Sequence, residues 1–290
     1  MTGFSSIRSS MGQVNNRGIE LGITTTNIQN LNFTWNTGVT FWQNRNILEK
    51  LYGDDIDGDG KEDDDIGNSL FIGESLGAIY GYESDGIVQE EDTEYMEATG
   101  AEPGFAKFKD ISGPDGEPDG LITADLDRKI LGFTKENFRL SISNTLNYKG
   151  FELYVLFSGI FGGGKDNYYM LDNIYAYRMM QQPMKNNWDH PWWTPENRSN
   201  KYTSTTYFDS RFSGIQSRSF MRIQDVTLSY RFNQPWVKDI HIESLKIYAA
   251  ARNVYTFTNW VGGDPEQGIR AMAGTYPVPS VYSIGLDISF

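Results

Sequence analysis

The sequence predicts an all-β protein, an antiparallel transmembrane β-barrel with long extracellular loops. Three observations lead to this prediction. Apolar and polar residues alternate along stretches that are longer than ordinary strands. Tight turns separate some of these stretches, whereas long polar loops separate others. The C-terminal stretch alternates small or polar residues with Tyr282, Ile284, Leu286, Ile288 and Phe290. In a membrane barrel such an apolar set faces lipid, and the polar set faces the lumen.

The composition is consistent with a folded β protein and excludes several classes. The 290 residues are 39% hydrophobic and 14% aromatic, which is too apolar for a disordered chain. A net charge of −13 leaves no basic stripe to neutralise phosphates, so nucleic acid is excluded as a partner. The absence of cysteine rules out disulfides and thiolate metal sites. No apolar run reaches the length of about 18 residues that a transmembrane helix needs.

The first hairpin lies near the N-terminus. Ile19, Leu21 and Ile23 alternate with other residues, an asparagine-containing turn is predicted at 27–30, and a second alternating strand covers 31–42. A membrane-crossing strand needs about ten residues, and these stretches are long enough.

The middle of the chain is predicted to be mostly loops. An acidic loop covers 52–68, and short strands and turns follow over 72–89. Residues 90–104 are polar and predict a surface loop. A short strand at 105–110 precedes a second acidic loop at 112–127.

The second hairpin has the clearest pattern. Two alternating strands over 137–150 and 151–159 meet at a predicted turn formed by Lys149 and Gly150. A long loop follows over 160–217, and loops of such length are commonly functional or disordered. The chain closes with three predicted strands, at 219–232, 244–259 and 278–290.

The first acidic loop has the residue types of a calcium site. Asp55, Asp57 and Asp59 alternate before Gly60, and Asp63 supplies another acid at the ninth position. Hard cations bind several oxygens presented by such a tight turn. The twelfth position is Ile66 rather than glutamate, so Asp64 or Asp65 would have to replace the closing ligand. The alternative is a solvated acidic loop.

The second acidic loop is a weaker match to the same pattern. Its candidate ligands are Asp115, Glu117, Asp119 and Asp125, with Asp127 as an alternative to the last. Ile122 occupies the usual apolar eighth place, but no closing acid falls at the twelfth. The alternative is a turn held by side-chain caps on backbone amides.

The long loop carries an aromatic group that predicts contact with sugar rings or with a partner protein. Its members are Tyr168, Tyr169, Trp188, Trp192 and Trp193. The alternative is that these rings pack against one another within the loop. The two histidines, His190 and His241, have no neighbouring nucleophile or carboxylate set that suggests catalysis or zinc binding, so no enzyme activity is predicted.

Several collinear blocks resemble the SusC/RagA family of TonB-dependent outer-membrane transporters. The blocks are NRGIELGI (16–23), GESLGAIYGYESDGIVQ (73–89), FKDISGPDGEPDGLITADLDRKILG (108–132), WWTPEN (192–197), SFMRIQDVTLSY (219–230), ARNVYTFTNWVGGDPE (251–266) and YPVPSVYSIGLDISF (276–290). One departure is the segment PDGEPDG, which is longer than the family's usual GDG and shifts the spacing of the second acidic loop.

The resemblance implies that residues 1–290 form the C-terminal portion of the receptor barrel. About half of a barrel of approximately 22 strands would be present. The signal peptide, the TonB box, the plug domain and the first half of the barrel would be absent. Without those strands an unpaired edge would remain in hydrocarbon, so we expect the chain not to transport alone.

The resemblance also implies a function and partners. The chain would lie in a Bacteroidota-like Gram-negative cell outer membrane, in contact with its lipid. It would import oligosaccharides or peptides together with a SusD-like surface lipoprotein and, through the N-terminal region, with the TonB complex. Calcium in the acidic loops would be the only cofactor. Two alternatives from other classes are a secreted, calcium-stiffened glycan-binding module and a β-sandwich hydrolase.

Overall fold

The computed structural model describes residues 12–167, 191–204, 207, 209, 211, 214–260, 263–268 and 278–290. Two compact units are present. The sheet unit consists of Asn16–Arg45, Lys135–Gly164 and Ser217–Phe290. The loop unit consists mainly of Asn46–Thr134 and Lys165–Gln216.

Seven long strands form one antiparallel sheet. They are β1 (Gln13–Gln29), β2 (Phe33–Lys50), β7 (Phe138–Tyr148), β8 (Phe151–Phe161), β11 (Phe220–Phe232), β12 (Ser244–Thr258) and β13 (Val281–Ser289), and they neighbour one another in that order. Each strand is therefore next to the long strand that precedes it in the chain, which is the simplest antiparallel order. The predicted hairpins and the three closing strands are confirmed.

The remaining elements are short. Two-stranded ladders join β3 (Ala78–Tyr82) to β6 (Arg128–Phe133), β4 (Ser84–Ile87) to β5 (Ala106–Phe108), and β9 (Lys165–Asn167) to β10 (Ile215–Ser217). The helices are α1 (Thr93–Thr99), α2 (Pro235–Asp239) and a single 3-10 turn (Ile66–Asn68). Neither α1 nor α2 has the length or hydropathy to cross a membrane, and the described residues contain no other α-helix.

The register of the long strands separates two faces. One row across six strands is apolar and consists of Trp35, Leu146, Leu153, Leu228, Ala249 and Ile284. The adjacent row, one residue along each strand, consists of Asn36, Thr145, Tyr154, Thr227, Ala250 and Ser283. Successive side chains of a strand point to opposite faces, so these rows lie on opposite sides of the sheet. On the apolar side of the sheet, the side chains of the C-terminal strand are exposed, and Ile284 is 83% exposed.

Two turns explain the hairpin geometry. Lys149 and Gly150 both have positive φ, 47° and 92°, as the predicted two-residue turn between right-twisted strands requires. The first turn lies at 30–32 rather than at 27–30, because β1 continues to Gln29. There the Asn30 side-chain oxygen accepts hydrogen bonds from the amides of Asn32 and Phe33 at 3.1 and 2.8 Å.

Two expectations about the elements are corrected. The predicted loop 90–104 contains α1, which has Asp92 at its N-cap position and ends where Gly100 adopts a φ of 70°. Both are helix-boundary signals, but the helix is too short to show apolar periodicity. In addition, the described residues contain seven strands of the main sheet, about a third rather than half of a barrel of approximately 22 strands.

Candidate ligand-binding site in the loop unit

The first acidic loop brings three of its four predicted calcium ligands together. Asp55, Asp57 and Asp59 are exposed, and each offers a carboxylate oxygen within 4.8 Å of the others. The loop closes on itself because Asp55 accepts hydrogen bonds from the amides of Gly58 and Gly60, at 2.8 and 3.1 Å. The fourth, Asp63, instead accepts from the amide of Ile56 at 2.5 Å. Clustered carboxylates of this kind suit a hard cation.

The second acidic loop is organised around a different residue. Asp127 is fully buried and accepts hydrogen bonds from the amides of Ile111 and Thr123 at 2.8 and 2.7 Å, and from the Thr123 hydroxyl at 3.2 Å. Burial opposes ionisation, but these hydrogen bonds outweigh it and lower the pKa of Asp127. The geometry is that of side-chain caps on backbone amides.

The four predicted ligands of the second loop do not form a metal-binding group in the part of the chain that the structure describes. These residues are Asp115, Glu117, Asp119 and Asp125. Asp119 accepts a hydrogen bond from the amide of Leu121 at 2.9 Å, which is a local turn contact.

The predicted aromatic group is only partly described. Tyr168, Tyr169, Trp188 and His190 lie outside the described residues. Trp193 is 7% exposed, and its indole nitrogen donates to the Gln89 side-chain oxygen at 2.9 Å. Its ring therefore packs inside the loop unit. Trp192 is half-buried.

The loop unit also contains a cavity of about 720 Å³ that the sequence did not reveal. Segments from α1, β5, the second acidic loop and the end of the long loop line it. Its side chains are mostly apolar or aromatic, and they include Tyr95, Ala98, Phe105, Phe108, Ile122 and Tyr207. The rings of Phe105 and Tyr207 are tilted against each other with their centroids 4.4 Å apart. Ala106, Phe108 and Tyr207 form a buried cluster, and Phe105 packs against it.

An ion pair lies at the polar side of this cavity. The Arg211 Nε donates to both carboxylate oxygens of Asp209, at 3.0 and 2.9 Å, and Nη2 donates to Oδ2 at 2.6 Å. The guanidinium also lies over the Phe108 ring, 5.2 Å from its centroid. Burial, reinforced by the nearby Asp209 carboxylate, raises the pKa of Tyr207, so this phenol stays protonated and donates its hydrogen to Asp209.

These cavity residues were missed because they are distant in sequence. Tyr95 lies in α1, Phe105 directly precedes β5, and Tyr207 follows about 100 residues later near the end of the long loop, so no spacing rule connects them. The one local signal was the Asp209-x-Arg211 spacing, in which the two charges can pair. That signal does not by itself indicate a cavity.

No protein-family model matches the sequence, but individual relatives do. TonB-dependent receptors P3 and P39 of Formosa agariphila are 28% and 30% identical to it over 100% of the chain, which spans 30% and 32% of their lengths. TonB-dependent receptor SusC of Bacteroides thetaiotaomicron is 22% identical over 97% of this chain, and the matched region is 27% of the length of SusC.

Solved structures share the fold. The RagAB peptide importer in its open-open state superimposes with a TM-score of 0.70 at 21% identity, covering 96% of this chain and 29% of the matched one. The RagAB peptide transporter gives a TM-score of 0.69 at 21% identity, covering 100% of this chain and 31% of the matched one.

The two-faced antiparallel sheet and the solved structures that share it place the chain in the fold class of antiparallel transmembrane β-barrels. The relatives confirm the resemblance read from the sequence, because the chain is similar along its whole length to curated TonB-dependent receptors. It spans about a third of the length of the curated relatives that it matches.

Proposed function

We propose that the chain is the C-terminal barrel portion of an outer-membrane importer that takes up oligosaccharides or peptides. The observation that carries this proposal is the seven-stranded sheet, in which one row across six strands is apolar and the adjacent row is mostly polar. An apolar face of this kind suits contact with lipid, and a polar face suits a solvated lumen. The similarity to TonB-dependent receptors over the whole chain supports the same function.

The proposal includes partners. Energy for uptake comes from the TonB complex, as the names of the relatives suggest. A SusD-like surface lipoprotein captures the substrate outside the barrel. The chain contributes binding surface and no catalysis, and its location is a Bacteroidota-type outer membrane.

Fractionation and uptake test this function. The complete receptor gene containing this segment is expressed in a Bacteroides host, and the protein is sought in the outer-membrane fraction as a heat-modifiable band on unboiled gels. Uptake of a fluorescent tripeptide and of a fluorescent maltoheptaose is then measured with and without a protonophore. We expect uptake of one of the two, and its loss when the proton gradient is dissipated.

Two results would contradict the proposal. One is recovery of the protein as a detergent-free monomer that unfolds cooperatively in water, which a lipid-facing sheet does not allow. The other is uptake that is unchanged by deletion of the gene.

A further inference from the structure

We propose that a pocket at the tight-turn end of the sheet unit binds the phosphate group of an anionic membrane phospholipid through Lys149, Arg231 and Lys246. The pocket is formed entirely by residues of the sheet unit. The inference rests on the proposed membrane location and goes beyond substrate import, because it concerns the contact between the barrel wall and lipid head groups.

The lining of this pocket carries an excess of positive charge. The pocket has a volume of about 380 Å³ and lies between the turn at 30–32, the Lys149-Gly150 turn, and the adjoining ends of β11 and β12. Lys149, Arg231 and Lys246 line it, whereas Glu152 supplies the one carboxylate among the described lining residues. In a chain with a net charge of −13, such a local excess of cations favours an anionic ligand.

These three cations are not neutralised within the described part of the chain. None of them forms an ion pair there, whereas Arg222 and Arg252 of the same sheet unit each pair with a carboxylate. Arg231 and Lys246 are directly opposite each other in the register of β11 and β12, on the polar face. Like charges in that position repel and destabilise a strand pair. Asp287 is the register partner of Lys246 on β13, but these two described residues form no ion pair. An anion bound between the cations would relieve the repulsion.

Amide groups add hydrogen-bond donors to the pocket. The Asn30 side-chain oxygen is used by the turn amides, while its side-chain nitrogen has no partner among the described residues. The Asn233 side-chain nitrogen is close to the second turn, because it would lie 3.7 Å from a Cβ added at Gly150. A phosphate group presents several strong acceptor oxygens, so ammonium, guanidinium and amide groups can all bond to it at once.

The pocket is bordered by rings on the apolar side of the sheet. Phe33, Tyr148, Phe151 and Tyr230 are opposite one another in the register of four strands. They lie two residues along each strand from the apolar row, and therefore on the same side of the sheet. Aromatic rings near the ends of membrane-crossing strands lie at the level of lipid head groups. The Lys149 Nζ lies 5.4 Å from the centroid of the Tyr148 ring, which places this cation at the same level.

Exposed apolar groups at the pocket favour a phospholipid over a soluble anion. Leu31 is fully exposed at the first turn, and Tyr148 and Phe151 are each 50% exposed. All three line the same pocket as the cations. A free phosphate ion would bond to the cations and leave these side chains in water. A phospholipid covers them with its acyl chains while its phosphate meets the cations.

Lipid binding can be measured on the complete receptor in detergent micelles by native mass spectrometry. The receptor is titrated with dioleoyl phosphatidylglycerol, and the reference is dioleoyl phosphatidylcholine, which has the same chains but no net charge. We expect phosphatidylglycerol to bind at least tenfold more tightly. Because the contact is electrostatic, its affinity should fall as salt is added, and millimolar inorganic phosphate should not displace it.

Variants of the cations locate the site. The double variant Arg231→Gln with Lys246→Gln removes the two facing charges and should weaken phosphatidylglycerol binding at least tenfold, with phosphatidylcholine binding unchanged. The change removes a repulsion, so the variant should fold, and its heat-modifiable band on unboiled gels verifies this. The charge-preserving exchange Arg231→Lys with Lys246→Arg should retain the preference for phosphatidylglycerol.

Lys238→Gln is the matched control. Lys238 is an exposed cation of α2 at the same end of the sheet unit, but it does not line the pocket. Its replacement removes one positive charge from the same region and should leave phosphatidylglycerol binding unchanged.

The outcomes separate this inference from the proposed function. Equal affinity for the two lipids, unchanged binding in the double glutamine variant, or an equal loss in Lys238→Gln would each overturn it. Full displacement by inorganic phosphate would assign the pocket to a free anion, and full displacement by hexaglutamate would assign it to an acidic protein segment, and either result overturns it as well. A variant-sensitive preference for phosphatidylglycerol upholds it even where cells import nothing, because absence of uptake contradicts only the proposed function.

Discussion

Arg222 of β11 and Asp264 form an ion pair in which Nη2 lies 2.6 Å from Oδ2, with side chains only 4% and 7% exposed. The same guanidinium donates to the Thr256 hydroxyl at 2.9 Å and lies 4.7 Å from the centroid of the Phe220 ring. Within the sheet unit, this pair attaches residues 263–268 to the polar face of β11.

Removal of Asp264 should destabilise the sheet unit strongly. Asp264→Ala removes the buried partner of Arg222 and leaves only the half-exposed Glu266 beside its charge, and breaking one side of a buried pair costs about 3–5 kcal/mol. The free energy of unfolding in urea, measured in micelles, checks this. Glu266 is 48% exposed and lies 3.3 Å from Arg222, so Glu266→Gln should cost less than about 1 kcal/mol. Equal losses in the two variants would contradict the assignment.

The second acidic loop should lose its order in acid. The pKa of Asp127 is lower in the folded protein than in the unfolded chain, where it is about 3.9. Its contribution is therefore complete above that unfolded value and is lost as the pH falls through the lowered value. Hydrogen exchange of the segment 108–127, corrected for intrinsic rates, should show protection at pH 6 that declines below about pH 4.

A variant pair tests the same residue at neutral pH. Asp127→Ala removes the acceptor of the Ile111 and Thr123 amides, which should cost about 1–3 kcal/mol for each buried donor left unsatisfied. Asp125→Ala, on an exposed neighbour, is the matched control. Unchanged protection in Asp127→Ala would show that other contacts hold the loop.

Calcium binding remains a prediction for the first acidic loop. Titration calorimetry with CaCl₂ should detect one site with a Kd on the order of 10⁻⁴–10⁻³ M, the range of extracellular modules with few ligands. Asp57→Asn removes one charge from the three-carboxylate group and should weaken binding about tenfold. Asp115→Asn, in the second loop, should change nothing. Absence of binding heat at millimolar calcium would contradict the calcium prediction and favour the alternative, a solvated acidic loop.

Trp193 should act on stability rather than on ligand binding. Trp193→Phe deletes the hydrogen bond to Gln89 and leaves its oxygen unsatisfied, at a cost of about 1–3 kcal/mol. Trp192→Phe, at a half-buried neighbour, should cost less. Thermal unfolding measures both, and sugar or peptide affinity should be the same in the two variants. Loss of affinity without loss of stability in Trp193→Phe would indicate that the Trp193 ring contacts the ligand.

The long strands were predictable because their side chains must alternate wherever the two faces meet different surroundings. Phe138–Tyr148 and Phe151–Phe161 show that pattern over eleven residues each, and Lys149-Gly150 marks the turn. Arg128–Phe133 was missed as a strand, because its partner Ala78–Tyr82 is about 50 residues away and neither has a clear alternation.

The cavity could not be predicted from sequence for a related reason. Its walls are defined by contacts such as that of Phe105 with Tyr207, about 100 residues apart, and no period or spacing records such a contact. The acidic loops were recognisable from their composition. Composition did not show that Asp127 would be the buried acceptor while Asp115 stayed exposed.

The unbroken register between β7 and β8 also has an evolutionary consequence. Loss or gain of a single residue inside β8 would send Leu153 to the side now occupied by Tyr154, and would reverse every later side chain of that strand. A two-residue change would preserve the sides. Length variation among descendants of this protein should therefore accumulate in the loop unit, while the long strands keep a nearly fixed number of residues.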